Sequence, residues 1–234
     1  MLRPKKKISK KEMKQDPLIG AYEQAQVYYY ENKKYVSYAL TGLLVVVIGI
    51  VIFINNRRAN NDKAAAELGK VFTLYDAGAT SPGQYKVAID GQPERGIMGL
   101  KSIVDNYGGS ESGELARFYL ANAYYQLGQY DDALKNYDSF STSSDILKAS
   151  TLAGMGGCYE AKGDYAKAAS EYEKASGTTT NPVQIPDFLN ASARCYGLAG
   201  EKEKAVALYK RLKKEYPTSQ LARDADRYIS QFAT

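Results

Sequence analysis

"YYQLGQYDDALKNY" (residues 124–137) recurs, without gaps, as "YEAKGDYAKAASEY" (159–172) and "YGLAGEKEKAVALY" (196–209). In each unit a Tyr is followed four residues on by Gly, five more by Ala and four more by Tyr. The members are Tyr124, Gly128, Ala133 and Tyr137; Tyr159, Gly163, Ala168 and Tyr172; and Tyr196, Gly200, Ala205 and Tyr209. The units start 35 and then 37 residues apart, a period that signals a stacked repeat. The spacing predicts a helical hairpin. The Gly closes a first helix in the left-handed conformation, and the small Ala lets a second helix approach. The second Tyr fills the gap between the two. One hairpin cannot bury its apolar face alone, so neighbours stack into a superhelix. A degenerate copy precedes them: "ERGIMGLKSIVDNYGG" (94–109) lines up with "EKAVALYKRLKKEYPT" (203–218).

These units resemble the tetratricopeptide repeat (TPR), whose pattern sets small residues at positions 8 and 20, aromatics at 11, 17 and 24, and Pro at 32. Counting from Glu114, Ala121, Tyr124, Tyr130, Ala133 and Tyr137 fit. From Ala149, Gly156, Tyr159, Tyr165, Ala168, Tyr172 and Ala175 fit. From Pro186, Ala193, Tyr196, Ala205, Tyr209 and Pro217 fit, while Lys202 stands where the turn aromatic would be. The aromatic of position 4 is missing throughout (Arg117, Leu152, Leu189). The resemblance covers roughly residues 92–218. It implies that first helices line a concave groove through positions 2, 5, 9, 12 and 13. Carried over, these give Phe118, Asn122, Tyr125, Gln126, Glu160, Asn190 and Arg194 as partner-binding candidates. Amide, aromatic and guanidinium groups in one trough suit an extended or helical peptide segment. A second reading stays open, in which Phe118 and Tyr125 pack on a helix of this chain, residues 57–78, lying in the groove.

Working towards the N-terminus, residues 79–96 read as a loop or short irregular excursion. Residues 57–78 read as a helix with Ala65, Leu68, Val71, Phe72 and Tyr75 on one face. Before it, no charged residue occurs from Tyr35 to Asn56, and residues 39–54 are almost wholly Leu, Val, Ile and Phe. As a helix, residues 35–54 would rise roughly 30 Å, the thickness of a bilayer's hydrocarbon. An export signal has a shorter apolar region, roughly 7 to 15 residues, followed by a small-x-small cleavage site, whereas Asn55, Asn56, Arg57 and Arg58 follow here. Tyr28, Tyr29, Tyr30, Tyr35 and Tyr38 cluster where aromatic rings meet headgroups. The run is therefore read as a permanent transmembrane helix, residues 35–56.

The tail, residues 1–34, carries nine basic residues against four acidic ones. Long domains translocate largely regardless of charge, so the short tail decides orientation: N-terminus cytoplasmic, residues 57–234 extracytoplasmic. Removing those nine and four from the totals of 31 and 26 leaves 22 of each sign, so the net charge of +5 sits in the tail. A charge-balanced domain lacks the basic face that nucleic acid requires, so no nucleic-acid partner is expected. Two readings stay open for the tail lysines: contact with anionic lipid headgroups and a solvated topology signal. Residues 1–17 have nothing to bury and read as disordered.

Chemistry that catalysis would need is missing. The chain has no histidine, which excludes Ser-His-Asp and Cys-His catalysis and most zinc sites. "GMGGCYE" (154–160) falls inside a repeat helix and not after a strand, so its glycines read as helix-packing positions rather than a phosphate loop. Asp131 with Asp132, and Glu171 with Glu173, read as solvated faces. Neither enzyme activity nor a cofactor is expected. Cys158 and Cys195 both fall at position 10, which Ala123 holds in the first unit. Equivalent positions in stacked helices lie roughly 8 to 10 Å apart, too far for a bridge, so both read as buried core thiols.

The resulting plan is all-α. It comprises a basic tail (1–34), one N-terminal transmembrane helix (35–56), a connecting helix and loop (57–91), and a TPR-type α-solenoid of about 3 to 4 hairpins (92–234). A C-terminal capping helix spans 217–232, with Ser219 or Thr218 as N-cap. This order of parts is similar to membrane-anchored TPR proteins of bacterial envelopes, among them the ancillary subunit of the Sec translocon. Residues 105–140 also resemble repeat segments of outer-membrane assembly lipoproteins and the cell-division coordinator family. The resemblance implies an adaptor or holdase in the bacterial inner membrane, with its repeats in the periplasm, acting on proteins that emerge there. A structural subunit held in a larger membrane complex through its span is the alternative.

Overall fold

The computed structural model describes residues 17–232, all but two short strands and the turns being helical. The tail's expected disorder falls almost entirely outside those residues. Two compact units are present, residues 1–56 and 57–234.

In the first unit, α1 (Pro17–Glu31) is followed after Asn32 by α2 (Lys33–Ala77), a 45-residue helix that continues into the second unit. Leu40, Leu43, Leu44, Val45, Ile48, Ile52 and Phe53 are each half or more exposed, and the apolar window of α2 is 0 % buried. An α-helix that is apolar all round, with no protein covering it, is long and apolar enough to cross a membrane.

The second unit begins with residues 57–77 of α2. Then come α3 (Gly83–Asp90), a two-residue hairpin of β1 (Gly91–Gln92) and β2 (Ile97–Met98), and α4 (Leu100–Tyr107). Three helical hairpins follow: α5 (Glu111–Gln126) with α6 (Tyr130–Asp138), α7 (Asp145–Ala161) with α8 (Tyr165–Thr178), and α9 (Gln184–Leu198) with α10 (Lys202–Glu215). The chain closes with α11 (Gln220–Phe232), preceded by Ser219. This is a TPR-type solenoid with a capping helix, as the repeat spacing predicts.

The repeated glycines explain the turns. Gly128, Gly163 and Gly200 have φ of 74°, 79° and 82°. Each donates its N–H to the carbonyl three residues back. The residue after it donates to Tyr124, Tyr159 or Tyr196, always at 2.9 Å. That pair of bonds satisfies the open carbonyls at a helix end, and it forms equally well at the third turn, where Lys202 replaces the aromatic. The helix-packing glycines of α7 each accommodate one tyrosine. A Cβ at Gly154 would stand 2.4 Å from the Tyr137 ring, at Gly156 3.1 Å from Tyr172, and at Gly157 3.2 Å from Tyr125. Ala133, Ala168 and Ala205 are fully buried, and Tyr137 and Tyr209 nearly or fully so.

Cys158 and Cys195 are free and buried. Burial pushes their thiols up to about 11 and about 12, which suits inert core positions.

Several expectations change. Residues 79–96 are not simply a loop, since Tyr85, Ala88 and Ile89 on α3 are buried. Of the degenerate copy at 94–109, only residues 100–107 are α-helical. The buried face of residues 57–77 is Ala64, Leu68 and Val71, with Tyr75 half-buried, while Ala65 and Phe72 lie outside it. That face shares one apolar core with Leu100, Ile103, Ala116 and Leu120. Asn61 Oδ1 accepts the Ser112 N–H at 2.8 Å, which gives the first turn of α5 a partner 51 residues away.

Candidate partner-binding groove

Positions 9 and 12 of successive first helices are the candidate groove positions that the repeat frame names. Position 9 is Asn122, Gly157 and Arg194; position 12 is Tyr125, Glu160 and Gly197. Their surroundings divide the predicted residues into groups.

Phe118 packs against the core that α5 shares with α6 and α7, beside Ala133, Tyr137 and Cys158, and Asn122 lies one turn further along α5. The Phe118 ring lies 5.5 Å from Phe140 and 6.0 Å from Tyr119. Asn122 Oδ1 accepts from the Tyr137 hydroxyl at 2.5 Å, and its amide also hydrogen-bonds the Tyr75 hydroxyl. Burial raises the Tyr75 phenol to about 12, with Tyr85 adding to the rise. Tyr75 and Phe72 of α2 lie 5.0 and 5.4 Å from Tyr119. The chain's own helix therefore packs on α5 through Tyr119, position 6 of the first repeat, which is not one of the candidate groove positions.

The middle is a polar and aromatic cluster. Arg194 donates to both oxygens of Glu160, at 2.5 and 2.9 Å, so a guanidinium on α9 clamps a carboxylate on α7. Tyr172 donates to the same carboxylate at 3.3 Å and the Cys195 thiol at 3.6 Å. The Arg194 hydrogen bonds hold the Glu160 carboxyl below its usual range, although burial opposes them. Tyr125 rests over Gly157 and 5.7 Å from the Tyr130 ring, and burial raises its phenol. Gln126 is exposed beside it, and Asn190 is half-buried on α9.

At the far end, Gly197 holds position 12 and the Phe232 ring lies against it, so that a Cβ there would stand 2.3 Å from the ring. Phe232 and Tyr228 stack on Tyr209 at 6.3 and 5.0 Å. Position 12 of the third repeat is thus covered by this chain's C-terminal helix, and Tyr125, Gln126, Glu160, Asn190 and Arg194 are the candidate residues that precede it.

Sequence reasoning missed Tyr172 and Gly157. The repeat frame already puts Gly157 at position 9, where a missing side chain admits the Tyr125 ring. The Tyr172–Glu160 bond follows only from packing. Of the acidic residues read as solvated, Asp131, Asp132 and Glu173 are exposed, Asp131 pairing with Lys162 and Glu173 accepting the Tyr196 hydroxyl at 2.8 Å. Glu171 departs from that reading, since its side chain, paired with Lys174, is only 14 % exposed.

Glu160 provides a pH test. A folded-state value below the unfolded one, about 4.3, means that the pair stabilises the fold above that pH. The stabilisation is lost as pH falls through the folded value. Arg194→Gln should lower stability near pH 7 by about 1 kcal/mol, given the pair's partial exposure. It should also flatten the acid limb of a Tm-versus-pH curve relative to the parent chain.

Comparison with known families agrees with this geometry. The tetratricopeptide repeat model matches residues 115–143, covering most of α5 with α6, and residues 191–219, covering the second half of α9 with α10. No curated protein matches the chain.

Proposed function

We propose that this chain is a membrane-anchored, non-enzymatic adaptor or chaperone-like subunit. In this reading its repeats bind protein or peptide segments on the extracytoplasmic face of a bacterial inner membrane, beside the Sec translocon or envelope-assembly machinery. Tetratricopeptide repeats suggest protein–protein interaction on their own. The observation that carries the rest is α2, one continuous helix whose first part is an uncovered apolar rod and whose last part is packed into the repeat core. The basic tail supports a cytoplasmic N-terminus. The groove's middle, Tyr125 to Arg194, is the proposed client surface.

A reporter active only outside the cytoplasm, fused after Thr234, should be active. Protease added to spheroplasts should digest residues beyond Asn60 and spare the tail. A protected C-terminal domain would overturn the extracytoplasmic assignment. Purification in mild detergent separates the adaptor from a structural subunit: a stoichiometric partner that survives deletion of the repeats would favour the structural subunit.

A further inference from the structure

Tyr137, Tyr172 and Tyr209 hold the same position, 24, in the three repeats, yet their hydroxyls fare differently. Tyr137 donates to Asn122, at position 9 of its own first helix, and Tyr172 donates to Glu160, at position 12. Tyr209 is fully buried, and among the described residues its hydroxyl has no hydrogen-bond partner. The sequence explains the difference. Position 9 of the third repeat is Arg194, whose guanidinium only donates, and position 12 is Gly197, which has no side chain. A buried hydroxyl without an acceptor is costly. Burial raises this phenol to about 12, so it stays a neutral donor.

The space that a position-12 side chain would fill is taken by Phe232. A Cβ at Gly197 would stand 2.3 Å from that ring, which also lies nearly parallel to Tyr209, at 14° with centroids 6.3 Å apart. A phenyl ring brings no acceptor for the hydroxyl. Phe232 also ends α11, in the turn whose carbonyls have no intrahelical donor and which opens most readily. The buried residues of α11, Ala222 and Ala225, lie about two turns or more upstream, so the last turn can lift while the helix stays docked. Ser230 and Gln231, beside the ring, are exposed.

We propose that Phe232 is a displaceable stopper over a client subsite. The subsite takes an extended segment that lays a large aromatic side chain on Gly197, in place of Phe232, and offers a main-chain carbonyl to the Tyr209 hydroxyl. The aromatic requirement follows from the ring that now fills the space, and the carbonyl from the donor that lacks an acceptor. The inference rests on the client-groove reading and gives its third-repeat end a ligand chemistry.

The test uses the full chain in detergent micelles and a fluorescein-labelled heptapeptide of glycine and serine with one central phenylalanine, alanine replacing it in the control. An occupant tethered in the same chain competes at an effective concentration of the order of mM. Phe232→Ala should therefore tighten binding of the phenylalanine probe at least about tenfold and leave the alanine probe unbound. In that background, Tyr209→Phe should weaken the probe about fivefold, the worth of one hydrogen bond. In the otherwise unchanged chain, Tyr209→Phe should leave Tm unchanged or raise it, whereas Tyr137→Phe should lower it, a comparison that holds even if Phe232→Ala misfolds. A lowered Tm for Tyr209→Phe would show that the hydroxyl already has an acceptor and would overturn the subsite. If folded Phe232→Ala binds the probe no more tightly than the parent while a crosslinker at Gln126 still captures polypeptides in cells, the stopper is overturned and the groove reading stands. If the probe gains affinity and Gln126 captures nothing, the subsite stands and the client surface at Tyr125 falls.

Discussion

Val71→Asp is expected to unfold the N-terminal end of the repeat domain while leaving its C-terminal hairpins folded. Val71 is completely buried in a core it shares with Leu100, Ile103, Ala116 and Leu120. A carboxylate there has no cation to meet and loses its hydration, a cost of several kcal/mol even after protonation. Stacked repeats contact only their neighbours, so the damage should propagate outward from α2 and fade along the solenoid. Hydrogen exchange should show protection lost over α3, α4 and α5 and retained over α9, α10 and α11. Uniform loss would mean that the solenoid is a single cooperative block. Unchanged protection would mean that residues 57–77 are a tether and not part of the core.

The second large effect is at Tyr137. Its ring is 3 % exposed, stands against Gly154 and donates its hydroxyl to Asn122. Tyr137→Ala should cost about 3 to 5 kcal/mol, the range for a buried aromatic that leaves a cavity. Gly154→Ala pushes a methyl into the same ring and should cost about 1 to 3 kcal/mol by overpacking. The double variant should be less destabilised than the sum, because the methyl then enters the space the ring left. Urea titrations of the four proteins measure this. Additive losses would show that the two residues do not meet.

Much of the architecture was legible because glycine and alanine carry unambiguous geometry. Gly128, Gly163 and Gly200 sit where only a residue tolerant of positive φ closes a helix, and all three do so. The buried alanines mark where second helices come close. The apolar run of α2 was legible by length and composition. Legibility fails where a segment is short or where its partner is distant in sequence. In α3, Tyr85, Ala88 and Ile89 give a single helical repeat between Pro82 and Gly91, too little periodicity to outweigh the flanking turn residues. The Asn61–Ser112 bond joins residues 51 apart and has no local signature.

The groove shows the same division. The repeat frame named the concave positions, but side-chain partners decide what each position does. Asn122 is engaged by Tyr75 and Tyr137, and Gly197 is covered by Phe232. Glu160 and Arg194 bind each other across two hairpins. A client would therefore meet an already neutralised ion pair flanked by Tyr125 and Gln126, a surface offering hydrogen bonds and an aromatic face rather than a net charge.

The central claim is that this middle stretch of groove holds another polypeptide. The most direct measurement places a photocrosslinking side chain at exposed Gln126 in the intact, membrane-inserted protein and irradiates living cells. The same side chain at exposed Lys210 on α10, a second helix, is the reference. The account predicts discrete protein adducts from position 126 that are absent from 210 and weakened by Tyr125→Ala. Equal adduct patterns from both positions, or none from 126 while the protein is present and folded, would contradict it.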